Sequence, residues 1–311
     1  MAKIIGICIS EKKGTQKNKV PSVKLIENFG IENDAHAGKW HRQVSILSYE
    51  KIKEFREKGA DVDFGAFGEN LIIDEYDFRS MPVGTRFKIG EVVLELSQIG
   101  KECHSHCAIF HAVGDCIMPR EGVFTEVIVG GDIKVGDEVE LIEVNPDAPL
   151  TAAVITVSDK GAVGQRKDES GPIITDGLIE NGFVVKEEII IPDEQKIIEQ
   201  QLKRLADQRQ VNLIITTGGT GLAMRDVTPE ATNAVCDRMA NGISEAIRAY
   251  SMNYTKRAMF SRAVSGLRNR TLIINLPGSP KAVKESLEFL LPNLEHGLKI
   301  LKGTSSECAR K

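Results

Sequence analysis

The chain has 311 residues, of which 41% are hydrophobic and 27% are charged, the balance of an ordinary soluble globular protein. A formal net charge of -4 argues against a strongly basic protein that binds nucleic acid, and no apolar run approaches the ~18 residues of a membrane span. The N-terminal sequence lacks the layout of a secretory signal, so we expect a cytoplasmic protein without nucleic acid or membrane partners. At roughly 150 residues per domain, the length favours two domains.

A proline-containing segment separates two halves with different sequence patterns. Pro146 and Pro149 interrupt two strand-like runs, and each proline removes a backbone donor and restricts the residue before it. We therefore predict domains at residues 1–144 and 151–311, joined by a linker at 145–150. The acidic excess falls in the first half and the second half is mildly basic, which favours the second half as the place for an anionic ligand.

Short apolar runs separated by glycine recur along the first half. They are KIIGICIS, RQVSILS, ENLIID, TRFKIG, EVVLELS, GVFTEVIV and DEVELIEV. Regularly spaced short strands of this kind predict a mostly-β barrel. One helical pattern interrupts them at YEKIKEFREKG, where Gly59 is the stop signal.

Strand-like runs alternate with helical patterns in the second half. The runs are TAAVITVS, FVVKEEIII, NLIITTGG and TLIINLPG. Between the second and third, Ile198, Leu202 and Leu205 recur at the spacing of one helix face. This alternation predicts a three-layer α/β domain, in which helices cover both faces of a mainly parallel sheet. Ligands of such sheets bind beyond the carboxyl ends of the strands.

The segment LIITTGGTGLAMRDVTPEAT passes from a strand through a glycine cluster to the start of a helix. Gly218, Gly219 and Gly221 would let an anion approach backbone N–H groups without interference from a Cβ atom. Thr228 is placed as an N-cap, so a helix dipole that favours negative charge begins close by. No Gly-Lys-Ser/Thr follows, which excludes a Walker A loop. The segment therefore predicts a phosphate site of another kind.

Two carboxylates and an arginine accompany this loop. Asp226 follows the glycines and Asp193 ends the preceding strand, so both are expected at the same edge of the sheet. Carboxylates beside phosphates usually hold Mg²⁺, and Arg225 could contact a phosphate directly. Taken alone, Asp193 could simply cap the helix that follows it, and glycines after a strand are often a turn. Their combination at one sheet edge favours a metal and phosphate site.

Four segments of the second half, TTGGTGLAMRDVTPEAT, VSDKGAVGQRKDESGP, IPDEQ and LIINLPGSPKAV, resemble the molybdopterin adenylyltransferase family over residues 151–303. The resemblance implies that the terminal phosphate of molybdopterin attacks the α-phosphate of Mg-ATP, giving adenylylated molybdopterin and pyrophosphate. It implies a homotrimer, with Asp193 and Asp226 as the catalytic, metal-binding carboxylates. The residues that it implies around the nucleotide and the pterin are Thr217, Gly218, Gly219, Thr220, Gly221, Arg225, Ser261, Asn275 and Gly278.

Three cysteines and three of the six histidines crowd into the segment IGKECHSHCAIFHAVGDCIMPREG. If residues 102–112 are helical, Cys103, Cys107 and His111 share one stripe of the helix. A zinc site is one interpretation, with Cys116 as a fourth candidate ligand. Buried structural cysteine and a thiolate activated by neighbouring His and Lys side chains are the others.

The segments GIENDAHAGKWHRQVSILSYEKI, GKECH and GVFTEVIVGGDIKVGDEVEL resemble the MOSC domain, named for the C-terminal part of molybdenum cofactor sulfurases, over residues 1–144. The resemblance implies a mostly-β barrel and places the characteristic cysteine at Cys103, as a thiol that carries sulfur or meets the cofactor. Asp34, His36 and Arg42 occupy the family's GDxHxG-to-R stretch. Asn33 stands where a glycine is common.

These observations give the hypothesis of a bifunctional molybdenum cofactor protein. Molybdopterin and ATP are the expected substrates, Mg²⁺ is the expected cofactor, and a molybdate-inserting enzyme or a molybdoenzyme is a possible partner. A carrier that binds molybdopterin without catalysis, with zinc in the cysteine and histidine cluster, is the alternative. A molybdate-inserting enzyme is a further rival, although it would normally bring additional large domains.

Overall fold

The computed structural model describes residues 1–59, 61–101 and 114–303. Its packing divides the chain into two compact units, Met1–Asn145 and Pro146–Lys311. Each unit has its own sheets and its own hydrophobic core. No helix in the described ranges is long and apolar enough to cross a membrane. The linker limits given above, 145–150, stay a prediction.

Short strands make up most of the N-terminal unit. The strands are β1 (Ile4–Ile9), β2 (Asn18–Val20), β3 (Ser22–Ile26), β4 (Gly30–Ile31), β5 (Val44–Ser48), β6 (Leu71–Ile73), β7 (Arg86–Ile89), β8 (Val92–Ile99), β9 (Val123–Val129), β10 (Gly131–Lys134) and β11 (Glu140–Ile142). Helix α1 (Tyr49–Glu57) follows β5 directly, a 3₁₀ turn spans Phe78–Ser80, and the short helix α2 (Met118–Glu121) precedes β9. The predicted helix at YEKIKEFREKG is thus present.

The strands of this unit form two sheets. The larger sheet has the order β11-β7-β8-β9-β5-β6-β1-β2, and the smaller has the order β10-β3-β4. Both are mixed or antiparallel, with β5 and β6 running parallel. Side chains alternate as a two-residue period requires: Phe87 and Ile89 are buried, while Arg86 and Lys88 are exposed. The pairings show mixed sheets and do not show closure, so the barrel stays a prediction.

The C-terminal unit alternates strands with helices, as the sequence predicts. Its strands are β12 (Thr151–Val157), β13 (Val184–Ile191), β14 (Leu213–Thr217), β15 (Arg238–Met239), β16 (Ser265–Arg268) and β17 (Thr271–Leu276). Its helices are α3 (Asp159–Ala162), α4 (Ser170–Glu180), α5 (Gln195–Lys203), α6 (Thr228–Val235), α7 (Asn241–Ser251) and α8 (Pro280–Lys302). A π-helical turn at Arg204–Gln208 extends α5, and a 3₁₀ turn spans Lys256–Phe260.

One sheet with the order β13-β12-β14-β17-β16-β15 forms the middle layer of this unit. The four strands predicted from the sequence, β13, β12, β14 and β17, run parallel. Two short strands, β16 and β15, were not predicted and add antiparallel pairs at one edge. The sheet is therefore mixed, because the chain returns through a hairpin before β17.

Helices cover both faces of this sheet. One face packs against α4 and α8, and the other packs against α5 and α6. The predicted apolar face of α5 is confirmed, because Ile198, Leu202 and Leu205 are completely buried. Burial of each such side chain is worth roughly 1.5–3 kcal/mol, so this stripe anchors the helix that follows Asp193.

Candidate active site at the carboxyl edge of the C-terminal sheet

The carboxyl ends of the four parallel strands meet at one edge of the sheet. In the strand order, β12 lies between β13 and β14, and the helices that follow β12 and β13 lie on opposite faces. This reversal makes a crevice outside the strand ends, the usual ligand position in open α/β sheets. A cavity of about 610 Å³ lies there, lined by Thr156, Val157, Ser158, Gly161, Arg166, Lys167, Asp168, Glu169, Ser170, Asp193, Thr217, Gly218, Gly219, Gly278 and Pro280.

The glycine loop after β14 has no room for side chains. Gly218 and Gly219 have φ angles of +96° and +61°, in the region that favours glycine. A Cβ atom on Gly218 would lie 2.3 Å from the backbone oxygen of Val157, at the end of β12. A Cβ atom on Gly278, after β17, would lie 3.2 Å from the Cα atom of Gly218. The loop therefore presents bare backbone to the cavity, as the phosphate hypothesis requires.

Thr228 holds this loop in a way that the sequence did not predict. Helix α6 begins at Thr228, its N-cap is Val227, and no side chain caps it, so the predicted N-cap at Thr228 is wrong by one residue. The Thr228 hydroxyl instead donates to the backbone oxygen of Gly218 at 2.9 Å, and the Thr228 N–H donates to Gly219 O at 3.1 Å. The start of α6 is thus fastened to the glycine loop.

The two carboxylates that the sequence singled out lie along the same loop. A Cβ atom on Gly219 would be 3.2 Å from Asp193 Oδ1, and a Cβ atom on Gly221 would be 2.8 Å from Asp226 Oδ2. Two residues span at most about 7 Å, so both carboxyl groups border one short piece of backbone. Asp226 Oδ2 also accepts the N–H of Ala223 at 2.9 Å, which fixes the turn that carries it.

The structure does not use Asp193 as a helix cap. The N-cap of α5 is Glu194, and Asp193 Oδ2 accepts the N–H of Asp159 at 2.8 Å instead. Asp159 Oδ1 accepts the N–H of Asp193 at 3.0 Å in return. Burial raises the pKa of Asp193 above its ordinary value; the Asp159 N–H opposes this shift, and the charges of Asp159 and Asp226 add to it. Neighbouring negative charges of this kind favour a bound cation.

Arg225 binds carboxylates in this structure. Its guanidinium donates to both oxygens of Asp159, at 2.8 and 3.0 Å from Nη2, and to Glu194 Oε1 at 2.8 Å from Nη1. The three side chains are about half exposed. Arg225 therefore ties together the loops after β12, β13 and β14, and a direct contact with phosphate, as the sequence suggested, would require it to leave these partners.

A second arginine, Arg262, fixes the other side of the glycine loop. It donates to the backbone oxygen of Gly221 at 2.7 Å, to the backbone oxygen of Asp226 and to the Glu230 carboxylate. Its own N–H donates to Thr220 O at 2.9 Å. Sequence reasoning missed this residue, although it directly follows Ser261, because an arginine in a loop gives no signal of its partners.

The remaining predicted ligands occupy different depths. Asn275 is 1% exposed, and its amide nitrogen donates to the hydroxyls of Thr216 and Thr232, both at 2.9 Å. Thr217 is also buried, and its hydroxyl donates to Pro277 O at 2.7 Å. Ser261 ends the 3₁₀ turn and is half-buried. Asn275 and Thr217 therefore support the loops from below rather than offering free side chains to a ligand.

The residues at this edge fit a magnesium ion that arrives with a nucleotide. Magnesium is usually held by one or two carboxylates, with phosphate oxygens and waters completing its shell. Asp193 and Asp226 would supply the carboxylates, and the bare glycine loop beside them would leave room for phosphates. Across the described ranges, no group of three or more His, Cys, Asp and Glu residues is arranged to hold a metal. A cation here would depend on oxygens of the ligand.

In the N-terminal unit, the predicted thiol Cys103 and its neighbours Cys107 and His111 lie outside the described residues. Cys116, the fourth zinc candidate, is buried. Asp34, from the MOSC-like stretch, is buried and accepts Lys17 Nζ at 2.5 Å. Its carboxylate also accepts the N–H groups of Ser10 and His36, both at 3.0 Å, and the Asn70 amide at 3.2 Å.

Comparisons with known proteins cover both units. Residues 153–296 match the family model of a probable molybdopterin binding domain, and residues 33–140 match the MOSC domain model. The chain is 40% identical to the molybdopterin adenylyltransferase of Helicobacter pylori strain J99 over 51% of this chain and 91% of that protein. For the Escherichia coli K12 molybdopterin adenylyltransferase, the values are 43% identity over 45% of this chain and 72% of that protein.

A solved structure of the molybdopterin biosynthesis enzyme MoaB from Thermus thermophilus is 45% identical, with a TM-score of 0.48, and covers 50% of this chain and 97% of that one. The alignments with these two adenylyltransferases cover most of the length of each relative, at 40% identity or more. The chain belongs to the molybdopterin adenylyltransferase family, and its N-terminal part matches the MOSC domain.

Proposed function

We propose that the C-terminal unit adenylylates molybdopterin with Mg-ATP. A phosphate oxygen of molybdopterin attacks the α-phosphorus of ATP, the bond between that phosphorus and the bridging oxygen to the β-phosphate breaks, and pyrophosphate leaves. The observation that carries the proposal is that Asp193 and Asp226 both border the glycine loop after β14, where Asp193 also lines the cavity at the sheet edge. The names of the relatives support the same activity.

The residues of this chain would act mainly by position and charge. Reactions of this type require the attacking and leaving oxygens to be aligned and the developing charge to be stabilised, with little covalent work by the protein. Magnesium would neutralise phosphate charge, and Asp193 and Asp226 would hold it. The backbone of Gly218 and Gly219 would receive phosphate oxygens, while Arg225 and Arg262 keep the loops in place.

The test is an assay with molybdopterin, ATP and Mg²⁺ that measures pyrophosphate and adenylylated molybdopterin. Asp193→Ala and Asp226→Ala should each lower the rate by about 100-fold or more, as loss of an electrostatic contact at a reacting centre does. Asp176→Ala is the matched control, because that carboxylate is exposed on α4 away from the cavity. Binding of molybdopterin without release of pyrophosphate by the intact protein would favour the carrier function instead.

We also propose a homotrimer, on the resemblance of the C-terminal unit to its family. Light scattering of the full chain measures the molar mass directly. A mass near three times the 34.1 kDa of one chain is expected, and a monomer would contradict the proposal. We further propose that adenylylated molybdopterin passes from this protein to a molybdate-inserting enzyme or a molybdoenzyme.

For the N-terminal unit we propose a role in handling the cofactor or its sulfur through the thiol of Cys103. The match to the MOSC domain supports this role. Elemental analysis separates it from zinc binding: about one zinc per chain, lost in Cys103→Ser and in Cys107→Ser, would favour a metal site. Persulfide on Cys103, detected by mass spectrometry of the intact protein after incubation with a persulfide donor, would favour the thiol.

A further inference from the structure

Two basic side chains in the cavity have no acidic partner among the residues that the structure describes. Arg166 and Lys167 line the same cavity as Gly218 and Gly219, and both are exposed. They stand on the loop between α3 and α4, in the segment QRKDESGP. Neither makes an ion pair or a side-chain hydrogen bond within the part of the chain that the structure describes.

The other arginines near this edge have their charge or their donors engaged. Arg225 is paired with Asp159 and Glu194, and Arg262 with Glu230 and two backbone oxygens. Arg248 donates to the backbone oxygens of Ser261 and Ala263, both at 2.9 Å. Among the residues that line the cavity, the positive charge available to a phosphate-bearing ligand is therefore that of Arg166 and Lys167.

The backbone that carries these two side chains is held at both ends. The N–H groups of Gln165 and Arg166 donate to Lys160 O, at 2.8 and 3.2 Å. Asp168 Oδ1 accepts the N–H groups of Ser170 and Gly171 at 2.9 and 3.0 Å, at the start of α4. The side chains of Arg166 and Lys167 are thus mounted on a fixed turn, which lowers the entropy lost when they hold a ligand.

The acidic residues of the cavity give a second reason why a phosphate-bearing ligand would need these two cations. Asp168, Glu169 and Asp193 line it together with the two basic residues. A polyphosphate would add several negative charges to this set, and two charges of one magnesium ion would not balance them. Charge-assisted hydrogen bonds from Arg and Lys to phosphate are among the strong interactions available in proteins.

We propose that Arg166 and Lys167 form a cationic wall that binds a phosphate group of a substrate in the cavity that the glycine loop also lines. The inference rests on the proposed function, because it assumes substrates that carry phosphate. Two sources have this chemistry, the β- and γ-phosphates of ATP and the phosphate of molybdopterin. The cationic wall contributes positive charge, which the glycine loop does not. Arg225 also carries a positive charge, but its guanidinium is paired with carboxylates.

The test compares ligand binding by the full chain and by Arg166→Ala/Lys167→Ala. Calorimetry with pyrophosphate and with a non-hydrolysable ATP analogue, each with Mg²⁺, reports the nucleotide source, and fluorescence titration with molybdopterin reports the other. At least one of these affinities should fall about tenfold or more, with a weaker dependence on salt, because charge contacts to phosphate are lost. Affinity for AMP should stay unchanged if the β- and γ-phosphates are bound.

Two control variants exclude a general effect on folding. Arg166→Lys/Lys167→Arg keeps both charges and should keep most of the affinity. Lys160→Ala removes an exposed charge from the neighbouring helix α3 that does not line the cavity, and it should bind all ligands as the unchanged protein does.

The outcomes also separate this inference from the proposed reaction. Equal affinity of the double alanine variant and the unchanged protein for pyrophosphate, the ATP analogue and molybdopterin would overturn the wall, whatever the enzyme assay shows. Failure of the unchanged protein to release pyrophosphate would overturn the proposed reaction. If pyrophosphate binding still depended on Arg166 and Lys167 in that case, the wall would stand.

Discussion

Two ion pairs in this chain have similar geometry and opposite surroundings. Lys17 and Asp34 in the N-terminal unit approach to 2.5 Å, and their side chains are 1% and 0% exposed. Arg225 and Asp159 in the C-terminal unit approach to 2.8 Å, but their side chains are 56% and 46% exposed. The first pair is part of the interior, whereas the second lies beside Asp193, a residue that lines the candidate active site.

The two pairs contribute differently to the stability of the fold. A buried charge that loses its partner costs several kcal/mol, whereas an exposed pair contributes little to stability because water and salt screen it. The exposed pair must therefore be explained by what it positions, which here is the backbone of Asp193. Substitutions in the buried pair should therefore change stability most, and substitutions around the exposed pair should change activity instead.

Removal of Asp34 should have the largest effect. Asp34→Ala leaves the Lys17 ammonium buried without its carboxylate and three other donors without their acceptor, so the free energy of unfolding of the N-terminal unit should fall by about 3–5 kcal/mol. Urea unfolding followed by fluorescence of Trp40, the single tryptophan of the chain, reports on this unit.

The matched control is an exposed pair in the same unit. Lys19 and Asp63 also approach to 2.5 Å, but their side chains are 53% and 68% exposed. Asp63→Ala should therefore leave the urea midpoint nearly unchanged. Equal losses in the two variants would show that burial does not decide the contribution of these pairs.

A smaller and pH-dependent effect is expected at Glu69. Burial raises the pKa of Glu69 to about 7, although the N–H groups of Gly65 and Phe67 oppose the shift. The protonated form is thus favoured in the folded state, so its stabilising effect is complete below the ordinary pKa of 4.5 and is lost as the pH rises to about 7. Glu69→Gln should remove this slope. Parallel stability curves for the variant and the unchanged protein between pH 4.5 and 7.5 would contradict the assignment.

Removal of Arg225 should change activity and leave stability alone. Arg225→Ala should keep the unfolding transition of the C-terminal unit, since the pair is exposed. The rate of adenylylation should fall about tenfold to 100-fold and the Mg²⁺ requirement should rise, because residues that orient metal ligands have effects of that size. A large rise in the KM for ATP, with kcat and the Mg²⁺ requirement unchanged, would instead indicate direct contact with phosphate.

The smallest effect is expected at Glu194. Glu194→Gln removes one ion pair of Arg225, but its three hydrogen bonds to the Asp159 carboxylate stay in place. Activity should then remain within about twofold of the unchanged protein, as for an exposed pair. A loss as large as that of Arg225→Ala would mean that Glu194, and not Asp159, is the partner that matters.

Strand order in the sequence predicts where the candidate residues lie, while their roles stay predictions. Asp193 and Asp226 were placed at one edge because parallel strands end together, and the glycines were recognised by their lack of a side chain. The partners of Arg225 and Arg262 could not be predicted, because a salt bridge between loops leaves no periodic pattern. Thr228 was misplaced because its hydroxyl serves a distant backbone oxygen rather than its own helix.

The fold shows the same division between repeated patterns and single contacts. Buried strands such as β12 and β14 can be predicted because they are continuous runs of mostly apolar residues. Strands β15 and β16 have two and four residues, too short to be distinguished from a turn. The ionic cluster around Asp34 was equally invisible, because nothing in the sequence links Lys17 to a residue 17 positions away.

The tight fit of the glycine loop limits how this enzyme family can diversify here. A methyl group at Gly218 would strike the oxygen of Val157, so the floor of the site has almost no freedom to vary. Leu222 and Met224, a few residues further along, are 66% and 97% exposed and meet no such barrier. Substitutions at Leu222 and Met224 should therefore be tolerated, whereas position 218 should stay glycine.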